Sequence, residues 1–199
     1  MDAIVRKDTS PATIGAHILL NDAMVRLLAT LLVLLAPAAH AALDVGERAP
    51  DFAAPAALGG KVYKFSLSDA LKKGPVVLYF FPAAYSEGCS VEAHAFAEAS
   101  ADFAALGASV IGVSADDIGT LTRFSVQACQ SQFPVASDEQ QTVIKSFDAT
   151  LRTRPEYANR VTYVIAPDGA IVYNYQSLNP LRHVEKTLGA LRALRERKP

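Results

Sequence analysis

Pro82, Ser86 and Cys89 lie on one short stretch and have the types and spacing of a reactive thiol site. The stretch runs Phe81-Pro82-Ala83-Ala84-Tyr85-Ser86-Glu87-Gly88-Cys89, leaving an apolar run and entering an Ala-rich one. A strand, a loop and a helix in that order put the thiol at a helix N-terminus. There the unpaired backbone N–H groups and the helix dipole favour negative charge, and the thiolate is the nucleophilic form of cysteine. Redox chemistry is therefore the leading expectation for Cys89, with the Ser86 hydroxyl one turn away as a hydrogen-bonding group.

The elements that must hold this loop are legible from pattern. Residues 75–81 and 109–114 are continuous apolar runs rich in β-branched and aromatic side chains, as in central strands buried on both faces. Residues 61–66 alternate polar and apolar after the Gly59-Gly60 turn, like a half-exposed strand. Residues 43–58 contain Pro50 and Pro55 and read as an extended lead-in. Helices are expected over residues 68–73, 89–106, about 116–130 with Cys129 near its end, 140–150 and 180–197. Residues 161–166 and 170–175 form a hairpin around Pro167-Asp168-Gly169. Strands separated by helices and followed by a terminal hairpin give an α/β fold, a central mixed sheet flanked by helices. A thioredoxin-like fold has this order.

At 199 residues, 51% of them apolar, the chain has length and apolar content for one full core, and disorder is not expected. A formal net charge of −1 with no basic block argues against nucleic acid as a partner. At the N-terminus, Met24-Val25-Arg26 precedes an apolar run over residues 27–35, then Pro37 and Ala39-His40-Ala41. The run is about half of the ~20 residues a membrane span needs, so it reads as a secretory signal peptide over residues 24–41, cleaved after Ala41. Residues 1–23 read as an extended leader or an early start. Export to the periplasm or outside the cell puts the two cysteines, Cys89 and Cys129, in an oxidising compartment.

Pro82-x-x-x-Ser86-x-x-Cys89 resembles the P-x-x-x-T/S-x-x-C active-site loop of the peroxiredoxin family. The neighbouring Glu92 and Phe96 resemble its bacterioferritin-comigratory-protein (peroxiredoxin Q) subgroup. Arg160-Val161-Thr162-Tyr163-Val164-Ile165-Ala166-Pro167-Asp168-Gly169 and Ala49-Pro50-Asp51-Phe52 are similar to further segments of that family, in the same order. The resemblance implies a thioredoxin-like peroxiredoxin domain over residues 42–199. It also implies a thiol-dependent peroxidase acting on hydrogen peroxide or organic hydroperoxides.

The chemistry assigns the roles. Cys89 is the attacking thiolate, and the Ser86 hydroxyl bonds the peroxide or the sulfur. Arg160 supplies fixed positive charge, Pro82 shapes and dries the pocket, and Glu92 orients the arginine. Arg123, Arg152 and Arg154 are the other arginines considered for the charge. Attack leaves a sulfenic acid that a second thiol must resolve. Many members of the subgroup carry that thiol five residues after the first, where this chain has His94, read as a surface or packing residue. The resemblance then implies resolution by Cys129 through an intramolecular disulfide. No cofactor or metal is implied. The expected partners are a peroxide and a thiol reductant such as a thioredoxin-like protein, with no membrane after cleavage and a monomer or weak dimer as the assembly.

Two other classes fit less well. A thioredoxin-type thiol-disulfide oxidoreductase calls for C-x-x-C at the helix start, and a copper module of the same fold calls for C-x-x-x-C, where position 93 is Ala. A non-catalytic domain with a structural disulfide is the plainest alternative.

Overall fold

The computed structural model describes residues 42–196, and the expected leader lies outside them. Its centre is a seven-stranded mixed sheet in the order β2-β1-β5-β4-β3-β6-β7. The strands are β1 (Ala53–Leu58), β2 (Lys61–Ser66), β3 (Val76–Phe80), β4 (Ser109–Ser114), β5 (Val135–Ser137), β6 (Val161–Ile165) and β7 (Ile171–Gln176). The helices are α1 (Leu67–Leu71), α2 (Glu87–Glu98), α3 (Ser100–Ala105), α4 (Ile118–Gln127), α5 (Thr142–Ser146) and α6 (Leu181–Glu196). β3 runs parallel to β4 and antiparallel to β6. Both outer pairs are hairpins, β1 with β2 and β6 with β7.

β3 is central because every one of its residues is buried. Successive side chains of a strand point to opposite faces, so it divides two apolar layers. Val76, Leu78 and Phe80 join Phe65, Leu67, Phe147 and Tyr163 on one face. Val77 and Tyr79, with Phe81 just beyond the strand, join Phe96, Phe103, Leu121, Phe124 and Leu191 on the other. Each such side chain taken fully from water contributes ~1.5–3 kcal/mol. Cys89 and Cys129 both belong to the second layer, buried at 1% and 0% exposure.

Four expectations change. Residues 53–58 form β1 although Pro55 lies within it. The β5 ladder reaches only Ala56 and Ala57, so no neighbour on that side requires an N–H from Pro55. The helix expected over residues 89–106 is two, broken at Ala99, whose φ of −85° and ψ of 4° leave the helical region. The helix expected over 140–150 shrinks to α5, which starts after Gln141 in a left-handed conformation at φ 55°. Cys129 likewise lies past the end of α4, in the turn that follows.

Candidate active site

The loop after β3 is short and tightly pinned. The Phe81 N–H donates to the Val113 carbonyl at 3.1 Å, and the Ala84 N–H donates to Asp116 Oδ2 at 2.8 Å. That carboxylate also accepts from Ser114 Oγ at 2.8 Å, which fixes it at the end of β4. Tyr85 takes a left-handed conformation at φ 63°, an outlier for a bulky side chain and a form of local strain common at functional loops. Its ring packs edge-on against Phe124 at 5.3 Å. Ser86 is the N-cap of α2, and the Ser90 N–H closes the first turn on its carbonyl at 2.9 Å.

Cys89 is the third residue of α2, at the helix start, and is buried. Arg160, immediately before β6, meets it. Its Nη2 lies 3.3 Å from Cys89 Sγ, while Nη1 donates to the Gly88 carbonyl at 3.4 Å and, at close range, to Glu92 Oε2. One guanidinium thus joins the thiol, the helix backbone and a carboxyl group one turn further along α2. Arginine has the planar, multi-donor fork that this requires, and lysine does not. Gly88 leaves room for it, since a Cβ there would sit 3.1 Å from Arg160 Nη2.

Burial of Glu92 is complete, and it raises the acid from its ordinary 4.5 to about 8 against the pull of Arg160. The Arg160 guanidinium is raised too: burial pulls it down, but the neighbouring Glu92 and Cys89 hold it above its ordinary value. Beyond Glu92 lies His183 of α6, fully buried, with Nδ1 3.6 Å from Glu92 Oε1 and 2.8 Å from Thr162 Oγ1. Its Nε2–H donates to the Ser177 carbonyl at 3.0 Å, and burial lowers the imidazole to about 4.

Cys89, Glu92 and Arg160 are therefore brought together. Pro82 is half-buried at the start of the loop. Ser86 is exposed, and its hydroxyl donates to the Ala83 carbonyl at 3.0 Å rather than to sulfur. Among the other arginines, Arg123 bonds Thr120 Oγ1 at 3.3 Å and Arg154 pairs with Glu156 at 3.1 Å; both are exposed and neither is drawn into the cluster. Cys129 is a free thiol, as is Cys89, and burial pushes its ionisation well above the ordinary range. His94 is exposed on α2 and its Nδ1 lies 3.1 Å from Gln130 Nε2, the residue after Cys129. Sequence reasoning missed Gly88, Thr162 and His183. For His183, its place on the inner face of an amphipathic helix was the only available signal.

Residues 45–174 match the AhpC/TSA family model. The solved structure of peroxidoxin BcpB from Mycobacterium tuberculosis superposes with a TM-score of 0.69 at 32% identity, over 76% of this chain and 98% of that one. A chloroplastic peroxiredoxin Q of Oryza sativa subsp. japonica is 34% identical over 124 residues, 62% of this chain and 57% of the relative. The chloroplastic 2-Cys peroxiredoxin BAS1 of Arabidopsis thaliana is 31% identical over 159 residues, 75% of this chain and 59% of the relative. With the thiol, arginine and glutamate clustered on a thioredoxin-like sheet, the chain belongs to the AhpC/TSA family, the peroxiredoxins.

Proposed function

We propose that the protein is a thiol-dependent peroxidase in which Cys89 attacks hydrogen peroxide or an organic hydroperoxide. The observation that carries this reading is the Arg160 guanidinium 3.3 Å from a buried sulfur at the start of α2. A guanidinium in low-dielectric surroundings interacts strongly with negative charge developing on the atoms it faces. The sulfur forms a bond to one peroxide oxygen as the O–O bond breaks, and the electron pair departs on the other oxygen. That oxygen takes a proton and leaves as water or an alcohol. Arg160 is placed to stabilise the charge that develops there, and the Ser86 hydroxyl, at the loop's open edge, to bond the bound peroxide.

The resulting sulfenic acid condenses with the Cys129 thiol, expelling water, and a dithiol partner of thioredoxin type reduces the disulfide. Cys129 must leave its buried position for this. Gln130 and Ser131 support such an unwinding: both are left-handed at φ 50° and 59°, a conformation costing non-glycine residues ~1–2 kcal/mol each that is released when the turn opens. The signal-peptide pattern supports action of the mature chain, from Ala42, in the periplasm or outside the cell, and intact-mass measurement of the exported protein tests that start. The central test is peroxide consumption with a dithiol reductant. Wild-type turnover and none in Cys89→Ser is the expected result; equal rates in the two would overturn the reading.

A further inference from the structure

Two buried polar side-chain atoms have no hydrogen-bond partner among the described residues, the Tyr79 hydroxyl and Glu92 Oε1. The second lies in the active site. An unpaired carboxyl oxygen in a fully buried position costs ~1–3 kcal/mol or more and demands an explanation. Arg160 engages Oε2 alone, and the atom facing Oε1 is His183 Nδ1 at 3.6 Å. The ring is fixed from three sides: its Nε2–H donates to the Ser177 carbonyl, Thr162 Oγ1 lies 2.8 Å from Nδ1, and the Tyr175 ring packs edge-on at 4.9 Å.

We propose that Glu92 and His183 hold one proton between them, across Oε1 and Nδ1, so that Arg160 commits its charge to the Cys89 sulfur instead of being neutralised by Glu92. The inference deepens the peroxidase reading and rests on it for its chemical consequence. With Nε2 protonated, Nδ1 of the neutral ring is an acceptor, and a carboxyl O–H on Oε1 points at it. An imidazolium N–H pointing at a carboxylate satisfies the same two atoms with the same proton. Nδ1 offers one lone pair and cannot accept from both the carboxyl O–H and the Thr162 hydroxyl, so the 2.8 Å Thr162 contact fits the second form, in which Thr162 Oγ1 and Oε1 share the Nδ1–H. In both forms the pair is neutral overall. A bare carboxylate beside a neutral ring would instead leave Oε1 unpaired and compete with sulfur for the guanidinium.

The remaining charges around the pair fit this assignment. Arg160 and Cys89 face Glu92 from β6's start and from α2, and the Tyr79 phenol of β3 shares the same buried region and is held neutral by it. Burial displaces the two groups in the directions that place a proton on the pair at neutral pH, the acid upward and the imidazole downward. His183 is thus a positioning residue acting through Glu92 and Arg160. When the thiolate is consumed, the guanidinium keeps Glu92 as its one charged partner, which lowers the proton affinity of the pair.

The experiment is a pH titration of the imidazole nitrogens by NMR on the reduced full chain labelled at histidine. The His183 signals are assigned by replacing His17, His40 and His94 in turn. The expected result is a step in the His183 Nδ1 signal near pH 8. It should be absent in Glu92→Gln and displaced to lower pH, by about one unit, in Cys89→Ser, where Arg160 has only the carboxylate to hold. A His183 signal without a step between pH 5 and 10, or a step at the same pH in wild type and Cys89→Ser, overturns the proposal. The Cys89→Ser comparison stands alone should Glu92→Gln fail to fold. No peroxide enters the titration, so failure of the peroxidase reading is distinguishable: it would appear as absent turnover with the coupled titration intact.

Discussion

Arg160 Nη2 approaches Cys89 Sγ to 3.3 Å although 71 residues separate them in sequence. The approach exists because β3 and β6 are neighbours: the loop after Phe80 and the residue before Val161 emerge at the same end of two antiparallel strands, paired Phe80 to Val161. The sheet register, rather than any local motif, brings the cation to the thiol. That placement is what the proposed role of the guanidinium, a fixed charge beside a peroxide-cleaving sulfur, rests on.

Replacing Arg160 with Met should slow the oxidation of Cys89 by peroxide ~10²–10³-fold, the scale of losing one preorganised transition-state donor. Stopped-flow measurement of the first oxidation step checks this. An unchanged rate would assign the charge to another group.

Adding a methyl group at Gly88 should act on the same contact more gently. The Cβ of Gly88→Ala would lie 3.1 Å from Arg160 Nη2, so the guanidinium must shift by a few tenths of an ångström. A loss of about tenfold in the same rate is expected, since misplacement of ~1 Å costs about 10²-fold. Thermal melting should change little, which separates this effect from unfolding.

Ser86→Thr should retain most peroxide reduction and Ser86→Val should lose most of it, because only the first keeps a hydroxyl at the edge of the loop. The present bond to the Ala83 carbonyl is 3.0 Å and exposed, and the hydroxyl can rotate toward a bound peroxide. Equal rates for the two variants would reduce Ser86 to a loop-shaping role.

Stability should depend on pH through the buried acid and imidazole. Glu92 ionises near 4.5 in the unfolded chain and about 8 in the folded one, so its contribution falls as pH rises through that window. His183 gains its proton near 6.5 unfolded and about 4 folded, so its contribution rises with pH between those values. The two oppose each other from about 4.5 to 6.5, and above 6.5 only the Glu92 effect remains. Urea midpoints should therefore be level across the lower range and decline from pH 6.5 toward 8, at no more than ~1.4 kcal/mol per pH unit. Glu92→Gln should abolish the decline.

Cys129→Ser should leave the first oxidation of Cys89 intact and block turnover with a dithiol reductant. Mass spectrometry after one equivalent of peroxide should find the Cys89–Cys129 disulfide in wild type and a persistent sulfenic acid in the variant. Normal turnover in the variant would indicate that an external thiol resolves Cys89.

Parts of the fold whose signals lie within a few residues were legible before any packing was known. The apolar runs of β3 and β4, the Pro-Asp-Gly hairpin turn and the Pro82-to-Cys89 loop each follow from neighbours within a few residues. Together they were enough to predict a thiol at a helix start. Tertiary structure alone decided what surrounds that thiol. β1 is a strand because β2 and β5 flank it, despite Pro55. His183 and Thr162 are buried beside Glu92 because α6 packs against β6 and β7, a contact between segments distant in sequence. The strength of a charge near sulfur depends on burial and on which partners share it, and both are properties of packing. Residue order can name an arginine, a glutamate and a histidine, but only the folded sheet sets which of them faces the other's free oxygen.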